Sequence, residues 1–147
     1  MKRKVITALL AATMVASLAV GCGNKGGDSK SDSSKSSSSD EITIGFSQVG
    51  AESDWRTANS ESMKSTFSEK NGYKLIFDDA QQKQENQITA IRNFIQQDVD
   101  YIVLAPVTET GWDTVLKEAK DADIPVIIVD RMIDVSDDSL YTAWVGS

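Results

Sequence analysis

The residues best suited to chemistry fall in two short segments of the 147-residue chain, Ser47 to Arg56 and Asp130-Arg131. Trp55 and Arg56 place a flat apolar ring beside a planar five-donor guanidinium, and Asp130 and Arg131 place a carboxylate acceptor beside a second guanidinium. Such groups suit a polyol: the ring stacks on a C–H face, the arginines donate to hydroxyl or ring oxygens, and the carboxylate accepts from hydroxyls. Each pair also has a plainer reading, as a Trp packed on the domain beside a solvated Arg, and as a loop ion pair in water. Asp78-Asp79 offers an acid/base pair or half of a phosphate-accepting acidic pocket. That pocket would want a further Asp after Leu104, where Ala105-Pro106 stand, so capping of the next helix is the simpler role for Asp79.

Other chemistries are excluded by what the chain lacks. It has no His, which removes His-based triads, His general bases and most zinc sites. Its single Cys can form neither an intrachain disulfide nor, without His, a Cys/His metal cluster. Gly45 and Gly50 form neither a G-x-G-x-x-G pattern nor a P-loop, and no G-x-S-x-G elbow occurs. The formal charge of −7 argues against a nucleic-acid partner, which needs a clustered basic face. A binding protein without cofactor or metal is therefore expected rather than an enzyme.

The elements that must position these residues alternate between short apolar runs and amphipathic segments, the pattern of an α/β fold with a doubly wound parallel sheet. Strands are predicted at Ile42–Phe46, Tyr73–Asp78, Tyr101–Leu104, Ile124–Val129 and Leu140–Val145. Helices are predicted from Ser53 or Asp54 to about Lys70, with Trp55, Met63 and Phe67 as a sparse apolar stripe, and over Lys83–Gln97 and Gly111–Asp121. In such sheets ligands gather beyond the carboxyl ends of the strands, where both segments fall.

The first 40 residues are of another kind. Lys2-Arg3-Lys4 precedes an apolar run from Val5 to Val20, and Gly21-Cys22 follows, the layout of a secretory signal peptide over residues 1–21. As a helix the run reaches about 24 Å, short of the roughly 30 Å hydrocarbon core, which disfavours a spanning segment. Ala19-Val20-Gly21-Cys22 resembles a bacterial lipobox, with Ala19 where Leu is commoner, and this makes Cys22 the expected lipidation site. Residues 22–40 then form a Ser-rich linker without a hydrophobic residue beyond Cys22. Removal of residues 1–21 takes away three basic and no acidic residues, so the charge goes from −7 to −10.

The stretches IGFSQVGAESDWR (Ile44 to Arg56), DDAQQKQENQITAIRNFIQQDVDYIVLAPV (Asp78 to Val107) and GWDTVLKEAKDADIPVIIVDRMID (Gly111 to Asp134) resemble the type I periplasmic sugar-binding proteins of ABC importers. The likeness is to their galactofuranose-binding branch and covers most of Glu41 to Ser147. It implies an extracytoplasmic receptor, lipid-anchored on the outer face of the bacterial membrane, that closes two lobes on a galactofuranose-, galactose- or ribose-like monosaccharide and delivers it to permease subunits. Gln48, Trp55, Arg56, Asp130 and Arg131 are the ligand-binding candidates. A sugar or furanose-signal sensor presenting its ligand to a membrane receptor is the alternative, and a transcription repressor of related fold would need a helix-turn-helix where the signal peptide stands. Residues 41–147 correspond to the N-terminal lobe without its partner, so a one-sided site of millimolar affinity, an unpaired sheet edge, or a non-functional truncated fragment is expected.

Overall fold

A computed structural model of the protein describes residues 41–146. The expected signal peptide, the lipobox-like segment with Cys22 and the expected Ser-rich linker lie outside the described residues. Five parallel strands, β1 (Ile42–Gln48), β2 (Tyr73–Asp79), β3 (Tyr101–Leu104), β4 (Val126–Asp130) and β5 (Ala143–Gly146), pair in the order β2-β1-β3-β4-β5. The helices α1 (Asp54–Thr66), α2 (Gln84–Gln96) and α3 (Asp113–Asp121) connect them. This is the doubly wound α/β arrangement that the apolar strands require, since both of their faces must be covered. Among the described residues no helix is long and apolar enough to cross a membrane.

On one face α2 and α3 bury the main core. Ile91 and Phe94 from α2, Val115 and Leu116 from α3, and Ile102, Leu104 and Ile128 from the strands are all within 2% of full burial. Phe94 lies so close to β1 that a side-chain carbon at Gly45 would overlap its ring. Gly45 therefore serves helix-to-strand packing, not a phosphate loop. On the opposite face α1 covers Ile44, Phe46 and Val103 through Met63 and Phe67, and Leu75, Phe77, Ile127 and Val129 stay half-buried.

Several boundaries differ from the sequence expectation for identifiable reasons. Helix α1 stops at Thr66 rather than near Lys70, because the Asn71 Nδ2 turns back to donate to the Thr66 and Ser65 carbonyls at 2.8 and 3.3 Å. A short turn over Glu69–Asn71 follows, closed by Gly72 at φ +83°. Trp55 is not part of the apolar stripe: it is 55% exposed, and the residues α1 buries are Arg56 and Ser60. Ser53 rather than Asp54 caps α1, its Oγ accepting from the Arg56 N–H at 3.3 Å. Asp79 does not cap α2; its Oδ1 accepts from the Gln81 N–H at 2.9 Å in a local turn, and Lys83 precedes the helix without a side-chain cap. Strand β5 starts at Ala143, because Leu140 closes a turn over Asp138–Leu140 and is buried in the α2/α3 core.

Candidate functional site

Strand β1 runs two residues further than expected, to Gln48, and carries this side chain to the carboxyl edge of the sheet beneath the first two turns of α1. Gln48 is fully buried. Its Oε1 accepts from the Val49 N–H at 3.0 Å and from Arg56 Nη1 at 3.5 Å, and its Nε2 donates to Asn59 Oδ1 at 2.7 Å and Ser60 Oγ at 3.3 Å. Each polar atom of a buried amide must be matched, and here α1 matches them from one helical face, since Arg56, Asn59 and Ser60 are three and four residues apart.

Arg56 is the centre of the cluster. Its side chain is only 6% exposed, with Nε 3.2 Å from Glu52 Oε1 and Nη1 2.7 Å from Asp130 Oδ2. A buried guanidinium needs such carboxylates, because an unpaired charge would carry a desolvation penalty of several kcal/mol. The contact with Asp130 is a close ion pair whose angles do not make it a directed hydrogen bond; the Oδ2 that makes it is buried, while the Asp130 side chain as a whole is 26% exposed. Asp130 itself ends β4 at φ +69°, a left-handed conformation that non-glycine residues rarely adopt and that is concentrated at functional sites. The end of β5 approaches so closely that a side-chain carbon at Gly146 would collide with the Asp130 carbonyl. Trp55 stands outside this cluster with its ring centroid 5.0 Å from the Arg56 guanidinium carbon.

Two concavities meet at Asp130. A cleft of about 220 Å³ is lined by Trp55, Asn59, Val129, Asp130, Val145 and Gly146. A broader one of about 510 Å³ is lined by Asp130 together with Glu109, Arg131, Met132, Asp134 and Trp144. Arg131 belongs to the second: it is exposed, and its Nη1 donates to the Val107 carbonyl at 3.2 Å.

The fold thus joins Gln48, Trp55, Arg56 and Asp130, although 74 positions separate Arg56 from Asp130 in the chain. Gln48 lies below the cleft as a support, and Arg131 faces the neighbouring concavity. Sequence reasoning missed Glu52, Asn59 and Ser60. The available signal was their position four before, three after and four after Arg56, which places Asn59 and Ser60 beside it on α1 and Glu52 just ahead of the Ser53 cap.

Asp78 lies apart from this cluster. Burial, reinforced by the adjacent Asp79, pushes its carboxyl above the usual 3.8. Its Oδ1 and the Oγ of its cross-strand neighbour Ser47 are buried without a hydrogen-bond partner among the described residues. Among those residues no group of three or more His, Cys, Asp or Glu is placed to hold a metal.

A parallel sheet whose carboxyl edge gathers a buried Arg–Asp pair, an exposed Trp and two open clefts defines a small-molecule binding domain. Residues 44–146 match the periplasmic binding protein domain family, and the chain belongs to it. It is 59% identical over 104 residues to the galactofuranose-binding protein YtfQ of Escherichia coli, covering 71% of this chain and 32% of that protein. It is 38% identical over 146 residues to the fructose import binding protein FruE of Bifidobacterium longum, covering 99% and 42%. The periplasmic binding component of the arabinose ABC transporter from Shewanella sp. ANA-3, bound to α- and β-L-arabinofuranose, superposes with a TM-score of 0.70 at 60% identity, covering 72% of this chain and 35% of that one. The chain spans about a third to two-fifths of the length of these relatives. They are binding proteins by name, not enzymes, and the family is an extracytoplasmic one.

Proposed function

We propose that the protein is the sugar receptor of a carbohydrate ABC importer, secreted by the signal peptide over residues 1–21, tethered to the outer face of the membrane by a lipid on Cys22, and delivering a monosaccharide to the permease subunits. The ligand is a furanose or furanose-forming sugar, the class named in the galactofuranose and arabinofuranose relatives. Trp55 stacks on the sugar's C–H face, Arg56 and Arg131 donate to its oxygens and Asp130 accepts from its hydroxyls, while Gln48 holds Arg56 in place.

The observation that carries this reading is the Arg56–Asp130 pair at 2.7 Å, in which a buried guanidinium holds Asp130, its side chain 26% exposed, in the lining of a cleft that it shares with the exposed Trp55. Calorimetric and ligand-observed NMR titration with D-galactose, L-arabinose, D-fructose, D-ribose and D-xylose tests it. At least one sugar is expected to bind with a dissociation constant in the millimolar range, and Asp130→Ala is expected to take that binding below detection, because a bound hydroxyl would lose its charged acceptor. An unchanged dissociation constant in the variant would refute the role given to Asp130.

A further inference from the structure

The orientation of one unassigned side chain in the cleft follows from the arginine beneath it. Arginine can only donate, and so can the Val49 backbone N–H, so the Gln48 atom that meets both must be its oxygen. Gln48 therefore turns its amino group toward α1, and Asn59 must answer at 2.7 Å with its own oxygen. A carboxamide is planar, so fixing its oxygen also fixes its amino group. Asn59 lines the 220 Å³ cleft together with Trp55 and Asp130, and among the described residues its Nδ2 makes no hydrogen bond. Asn59, its amino group committed as a donor, and Asp130, its side chain 26% exposed, thus border one concavity.

We propose that Asn59 is a specificity-determining ligand residue, whose amino group donates to the oxygen of a sugar hydroxyl that in turn gives its hydrogen to Asp130. A hydroxyl is the simplest group able to accept from one and donate to the other at once, so the pair selects a hydroxyl at one position of the ring over hydrogen at that position. This inference rests on the sugar-receptor reading and adds to it the residue that reads one hydroxyl.

The test measures, by calorimetry on the full chain, the tightest-binding sugar of the five named above and its monodeoxy analogues against wild type, Asn59→Ala and Asn59→Ser. Asn59→Ala takes away the shorter of the two bonds of the buried Gln48 Nε2 and leaves the one to Ser60 Oγ at 3.3 Å, so the variant is expected to stay folded and to melt about 4–8 °C below wild type. Asn59→Ala is expected to weaken the parent sugar about tenfold, the loss of one buried hydrogen bond. One deoxy analogue, already weakened in wild type, should lose little more in Asn59→Ala, because the deleted partners belong to the same contact. Asn59→Ser, which restores a shorter donor, should recover part of the affinity. Unchanged affinity in Asn59→Ala, or an equal loss for the parent and every deoxy analogue, would overturn the role of Asn59 while leaving the receptor reading intact. Failure of wild type to bind any of the five sugars would overturn both.

Discussion

The two faces of the sheet use the same strands to opposite ends. Against α2 and α3 the strands present Ile102, Leu104 and Ile128, and the helices answer with Ile91, Phe94 and Leu116, joined by the buried Trp112 that precedes α3; the buried polar Gln87 of α2 bonds only to backbone at the strand ends. Against α1 the strands present Phe46, Val103 and Val129, but the side chains α1 buries are Arg56 and Ser60. One face supplies the packing that stabilises the domain. The other spends its burial on a hydrogen-bonded polar cluster that opens onto a cleft, at a cost in packing that the first face offsets.

The largest effect that would break this contrast is a difference in stability between the faces. Phe94→Ala is expected to lower the unfolding free energy by about 3–5 kcal/mol, since a fully enclosed ring leaves a cavity. Val129→Ala, on the half-buried side, is expected to lower it by only about 1 kcal/mol. Urea denaturation of both variants checks the ordering, and equal losses would erase the distinction between the faces.

The smallest effect sharpens the comparison on the α2/α3 side, where Asp78 is the misfit. Its carboxyl is held above the usual 3.8 first by burial and then by Asp79. A raised acid binds its proton better in the folded state. It therefore stabilises the fold fully below the unfolded value, and that stabilisation is lost as pH rises through the raised folded value. Asp113 and Asp137, lowered by hydrogen bonds from Ser136 and Ser139, act in the opposite sense and lose their contribution as pH falls through their depressed values. Asp78→Asn should accordingly gain stability relative to wild type at pH 7 and show no such gain at pH 3, by urea melts at the two pH values. A constant difference between the two pH values would show that Asp78 ionises normally.

Much of the fold was legible in the sequence because apolar periodicity reports burial. Tyr101–Leu104 and the Ile88, Ile91, Ile95 spacing could only be a buried strand and a helix packed on it. The misreadings came where a side chain overrode the pattern. Asn71 reached back to end α1 early, and α1 turned its polar face inward, leaving the supposed core residue Trp55 outside. The candidate site was legible one residue at a time. Arg56 and Asp130 each had the right chemistry, but their 2.7 Å pairing depends on strand order, which no local spacing encodes. Gln48 and Asn59 were harder, since amide roles are set by the hydrogen-bond chain in which they stand, beginning here from a donor-only arginine.

The central claim is that ligand meets the protein on the α1 side of the carboxyl edge and nowhere on the α2/α3 core. Backbone amide NMR of the protein, titrated with the sugar that binds best, tests this most directly. The account predicts shifts concentrated at Gln48, Trp55, Arg56, Asn59, Asp130 and Arg131, with Ile91, Phe94 and Leu116 unmoved. Shifts centred on α2 and α3, or none with any of the five sugars at saturating concentration, would contradict it.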